Sequence, residues 1–137
     1  MKKTLFILLF LTLMVMALVI SGCGPAAPPT AALEVKGDPA KGKAIYEANQ
    51  CNACHMTDGQ GGNVGPDMTH IGTVAATRKA GVSVAEYLHE SILTPDAFVV
   101  PDCPQGPCQR GIMSKDIAQK LSDEDLDDLI AYLASLE

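Results

Sequence analysis

Cys51-Asn52-Ala53-Cys54-His55 is the stretch on which the reading of this 137-residue chain turns. Two thiols three positions apart are followed at once by an imidazole. That order suits a flat macrocycle with two reactive groups on one edge and a metal at its centre. The thiols add to the two vinyl groups of a porphyrin, and the imidazole falls beneath the iron, the pattern of c-type haem attachment. Two other uses of these residue types fit less well. A Cys-x-x-Cys redox pair belongs beside a βαβ pattern, which the chain lacks. A zinc site needs a fourth ligand, to be recruited from His70 or a later cysteine.

Working outward, three helices are expected. Asp38-Pro39 supplies an N-cap acceptor and a proline at the first helical position, and the helix runs through Tyr46 towards Asn49. Ser83 and Glu86 form a capping box with Val82 and Tyr87 as its staple, and Pro95 ends the helix that follows. Ser122 and Asp125 repeat the device, with a buried stripe of Leu126, Leu129, Ile130, Leu133 and Leu136. No segment alternates long enough to predict a strand, so the domain is expected to be all-α with long loops over 56–80 and 95–120. There is no Trp, and past residue 22 the only aromatics are Tyr46, Tyr87, Tyr132 and Phe98. A domain this poor in large side chains needs something else to fill its centre.

Taken together, these features resemble the class I, monohaem cytochrome c family over most of residues 38–136. The resemblance rests on Gly42 and Tyr46 before the motif and on Gly59-Gln60-Gly61-Gly62 with Gly65-Pro66 after it. It continues through Tyr87-Leu88, Ser91-Ile92, a methionine at 113, and Leu121-Ser122 opening a last helix with Tyr132-Leu133. It implies a small cytochrome c fold, three to five helices around one covalently bound haem c. It also implies that first and last helices cross at Gly42 opposite Tyr132, and that the Pro66 carbonyl accepts from His55 Nδ1. A phosphate-loop reading of the glycines fails, with no strand before them and no Lys-Ser/Thr pair after them.

His55 takes one axial position. Candidates for the other are Met56, Met68, Met113, His70 and His89. Met56 adjoins His55 and cannot reach the opposite face, Met68 is expected to pack, and the two histidines are ordinary polar residues. Met113 lies where the family carries its ligand, and a thioether there stabilises ferrous iron and leaves no open position. Ser114 departs from the proline that commonly follows that methionine. Cys103 and Cys108 flank Pro104-Gln105-Gly106-Pro107, a turn that brings them within bridging distance. A disulfide is the default for such a pair in an exported protein, and it is expected to stiffen the approach to Met113.

Lys2 and Lys3, an apolar run over Leu5–Ile20 and Ser21-Gly22-Cys23 have the layout of a secretory leader. Ile20-Ser21-Gly22-Cys23 resembles the lipobox of bacterial lipoproteins, giving a signal peptide over 1–22 and an acylated Cys23. An uncleaved transmembrane helix is the alternative, though the run is slightly short for one. Residues 23–37 are then a Pro/Ala-rich tether with a reach of roughly 40 Å, and 38–137 the folded domain. The formal charge is −6, and loss of Lys2 and Lys3 with the leader makes the body more acidic still. Such a surface is repelled by phosphate backbones, which excludes nucleic acid and favours a basic-surfaced redox partner. The expected function is one-electron transfer, without enzymatic transformation of a substrate. The protein is placed on the outer, periplasmic side of the cell membrane, in a respiratory or photosynthetic chain, as a free carrier or a subunit of a quinol-oxidising complex. A haem sensor or small-ligand binder with an open sixth position is the competing reading.

Overall fold

The computed structural model describes residues 33–137. The leader over 1–22, Cys23 and the tether up to residue 32 lie outside the described residues. Residues 33–36 have no regular structure and are exposed, and the Leu33 carbonyl accepts a hydrogen bond from Ser83 Oγ at 3.2 Å.

Asp38 Oδ1 accepts from the Ala40 amide at 2.8 Å and, with proline at the first position, starts helix α1 (Pro39–Ala48). The chain leaves α1 at Asn49 and reverses at Gln50, whose φ of 57° is left-handed, into a 3-10 turn over Cys51–Ala53. A hairpin of β1 (Met56–Thr57) and β2 (Gln60–Gly61) follows, then α2 (Ile71–Arg78) and α3 (Val84–Leu93). A second hairpin joins β3 (Asp102–Cys103) to β4 (Gly106–Pro107), and α4 (Ile117–Lys120) and α5 (Asp123–Ala134) complete the order. The three helices expected from the sequence are α1, α3 and α5, and both expected capping boxes form, Ser83 with Glu86 and Ser122 with Asp125. The expectation of two long loops is corrected: 56–80 contains β1, β2 and α2, and 95–120 contains β3, β4 and α4. Each strand is only two residues long and the fold remains helical.

Helices α1 and α5 make the most extensive contact in the domain. Gly42 is the reason they can approach. A Cβ there would stand 1.9 Å from the Asp128 carbonyl oxygen and 2.7 Å from Tyr132 Cβ. Beside it, the Asp38 amide donates to Asp128 Oδ1 at 2.6 Å, which gives the buried Asp128 carboxylate a partner. The Tyr46 and Tyr132 rings meet edge to face, 5.5 Å apart. The apolar stripe of α5 (Leu126, Leu129, Ile130, Leu133) joins Ile71 of α2 and Leu88 of α3 in the core. Gly72 of α2 lies against the end of α5, its amide donating to the Leu136 carbonyl at 2.8 Å.

Candidate functional site

The cysteine–histidine segment is fixed by its backbone. The Cys54 and His55 amides donate to the Cys51 carbonyl at 3.2 and 3.0 Å, closing a tight turn that turns Cys51, Cys54 and His55 towards one cavity. The glycines after it serve close approach. A Cβ at Gly62 would stand 2.0 Å from the Ala53 carbonyl oxygen, and one at Gly61 2.6 Å from that of His55. The Gly62 and Gly65 amides, in turn, donate to the Asn52 and Cys54 carbonyls at 2.8 Å each. Residues 61–65 thus wrap the turn, which is the structural use of a glycine-rich stretch that carries no phosphate signature. From below, the buried Tyr46 hydroxyl donates to the His55 carbonyl at 3.3 Å.

His55 Nδ1 lies 2.9 Å from the Pro66 carbonyl oxygen. A carbonyl can only accept, so Nδ1 carries the proton and Nε2 keeps the ring's lone pair. The ring is 9% exposed. Burial pushes its pKa down, partly opposed by the Pro66 hydrogen bond, and so keeps the imidazole neutral, the form that ligates a metal. The turn after Pro66 is itself secured, since the Thr69 amide and hydroxyl both donate to Asp67 Oδ1, at 2.8 and 2.6 Å. Burial also pushes the half-buried Cys51 thiol up, while Cys54 is exposed. Both thiols are free.

The cavity measures about 580 Å³, within the roughly 300–1,000 Å³ range of small-molecule and cofactor pockets. Its wall brings together Cys51, Cys54, His55, Pro66 and Met113. Met68 also reaches the wall while packing against the core; Met56, His70 and His89 do not line it. Ser91 Oγ, on the same wall, is buried without a hydrogen-bond partner. A largely apolar cavity with two free thiols, a neutral imidazole and an orphaned hydroxyl fits a large flat cofactor joined at one edge. The other thioether, Met113, sits on an exposed loop and is 36% exposed.

Cys103 and Cys108 form a disulfide with their Cα atoms 5.1 Å apart, closing the β3–β4 hairpin on the cavity wall. At its tip Gln105 Nε2 donates to Asn63 Oδ1, joining the hairpin to the glycine-rich segment. Charged side chains are sparse around the cavity: among the described residues, Arg78, Asp96 and Lys120 alone contribute. From the sequence, the role of Gly61 and Gly62 was not legible, and Asp96 was not singled out at all. Gly61 and Gly62 hold the turn by touching its backbone, and a glycine run gives no sign of what it touches. Asp96 binds the Met113 loop at Arg110, Gly111 and Lys115, and nothing local to Pro95-Asp96 marks it.

Residues 39–137 match the family described as Cytochrome c. Cytochrome c oxidase subunit 2 of Alkalihalophilus pseudofirmus is 31% identical over 97 residues, which cover 71% of this chain. The chain spans 25% of the length of that curated relative.

Proposed function

The chain belongs to the cytochrome c family, whose chemistry is electron transfer through covalently bound haem c, and from that premise we propose that it carries single electrons through one haem that Cys51 and Cys54 would join and whose iron His55 and Met113 would hold. The observation that carries this reading is the His55 ring, neutral, oriented by Pro66 and set on the same cavity wall as both free thiols. When bound, the haem supplies one-electron exchange between ferric and ferrous iron. The protein's own residues bind and exclude. His55 offers Nε2 as a nitrogen donor, while its Nδ1–H on Pro66 raises that donor's basicity. Met113 offers a soft sulfur that favours the reduced state and blocks small ligands. The apolar core beneath the cavity, Leu88 and Leu129 among it, keeps water from the buried face.

Carbon monoxide binding to the reduced protein tests the ligand set. Wild type is expected to bind slowly and incompletely, and Met113→Ala rapidly and fully, with loss of the weak oxidised-state band at the red end of the spectrum. A band unchanged in Met113→Ala would remove Met113 from the ligand set. The exposure of Met113 favours a second reading, a haem sensor with a labile sixth position; rapid, complete carbon monoxide binding by the wild type would select it.

The leader pattern and Cys23 support a lipid-anchored protein on the outer face of the cell membrane, swept along it by the 23–37 tether. Intact mass of the membrane-extracted protein checks this, with an unmodified Met1 terminus as the result against it. The relative that is an oxidase subunit supports a place in a respiratory chain, as a tethered carrier between a quinol-oxidising complex and a terminal oxidase or as a fixed subunit of such a complex. A net charge of −6 steers the protein towards a basic partner at long range, while the cavity wall, sparse in charge, offers apolar and amide groups for contact.

A further inference from the structure

The segment 109–115 carries Met113 and is exposed throughout. Among the described residues, and apart from the local hydrogen bond from the Asp116 amide to Ser114 Oγ, every hydrogen bond or ion pair it makes to the rest of the fold ends on one residue, Asp96, just beyond α3. Arg110 Nη1 donates to the Asp96 backbone carbonyl. The Gly111 amide donates to Oδ1 at 2.7 Å, and Lys115 Nζ lies 2.7 Å from Oδ2. The two carboxylate oxygens therefore grip the loop on either side of Met113, at positions 111 and 115. Gly111 meets this grip with a φ of 78°, a left-handed backbone that a glycine adopts without strain. The two donors hold the Asp96 carboxyl below its usual range, so the charged, two-handed acceptor is the form present near neutrality. The Asp96 side chain is 28% exposed, less than half the exposure of Lys115. The disulfide does not duplicate this. It closes 103–108 on itself, and the Cys108 amide returns to the Pro101 carbonyl, leaving 109–115 to Asp96.

We propose that Asp96 is the positioning residue for the sixth ligand: its carboxylate brackets Met113 through Gly111 and Lys115, supplying the constraint that a proline would give in place of Ser114. The inference rests on Met113 being a ligand. Where the loop is released, the thioether spends more time away from the iron, and an external ligand competes better.

The test is imidazole titration of the oxidised, fully matured chain, read with the red-end absorption band. A charge-assisted hydrogen bond contributes enough that its loss corresponds to roughly tenfold in an equilibrium. Asp96→Ala is therefore expected to bind imidazole about tenfold more tightly with a weakened band, and Lys115→Ala to do so by a smaller factor. In a Met113→Ala background, Asp96→Ala is expected to add nothing. Unchanged imidazole affinity and band in both Asp96→Ala and Lys115→Ala, with both altered in Met113→Ala, would overturn the proposal and leave Met113 a ligand. No change in Met113→Ala itself would overturn the ligation reading and this proposal with it. Should Asp96→Ala fail to mature, Lys115→Ala, altered at an exposed side chain, decides the matter alone.

Discussion

Gly65→Ala is expected to yield holoprotein at a tenth of the wild-type level or less, with a displaced His55 and a shifted absorption spectrum. The added methyl would stand 2.5 Å from His55 Cε1, 2.7 Å from Nδ1 and 3.0 Å from Nε2. All three contacts fall on the imidazole, so the substitution presses on a single ring. The backbone at Gly65 is not left-handed, and conformational strain plays no part in the effect. In an unloaded chain the ring can swing aside at modest cost. Once Nε2 is committed to a metal and Nδ1 to Pro66, it cannot move without breaking one of them. Overpacking of this kind costs about 1–3 kcal/mol, and losing an orienting partner lowers metal affinity by roughly 10–100-fold. Pyridine haemochrome per milligram of purified protein measures the yield. A wild-type yield and spectrum would mean that the ring has room the geometry denies it.

Gly42→Ala is expected to lower the melting temperature of the matured protein more than any other single methyl addition. On propensity alone the change favours α1, because alanine is better than glycine inside a helix by about 1 kcal/mol. Contact reverses the sign. A Cβ 1.9 Å from the Asp128 carbonyl oxygen meets backbone, which has no rotamer to change, and α1 and α5 must separate by more than an ångström. Separation weakens the Asp38–Asp128 hydrogen bond and the Tyr46–Tyr132 contact together. A net loss of about 3 kcal/mol translates to a drop of roughly 12–24 °C for a domain of this size. Lys43→Ala, one residue along on the exposed face, is the control and should stay within about 0.5 kcal/mol of wild type. Equal melting temperatures for the two variants would show that the helix crossing is looser than its geometry.

The helices legible in the sequence were those with end signals. Asp38-Pro39, Ser83 with Glu86 and Ser122 with Asp125 each state where a helix begins, and all three helices begin there. Helix α2 carries no such signal. His70 makes no side-chain cap, and Gly72, Thr73, Val74 and Thr77 are poor helix formers, so α2 is held by burial of Ile71 and Ala75 and by the end of α5. Helix α4 is a single turn without a capping side chain, and two-residue strands are too short to alternate. The Cys51–His55 segment was legible because its chemistry demands adjacent residues. The Asp96 grip was not, because its carboxylate's partners, Gly111 and Lys115, lie too far along the chain to leave a local pattern.

The 2.6 Å hydrogen bond from Asp38 to Asp128 spans 90 positions of the chain. A contact between segments so far apart forms late, because the entropy of closing that large a loop must be met before any of the packing it permits is gained. During synthesis, residues 51–55 exist long before α5 does. Leu129 and Leu133 of α5 line the cavity, so the wall on which Cys51, Cys54 and His55 converge is complete only after that late contact has formed.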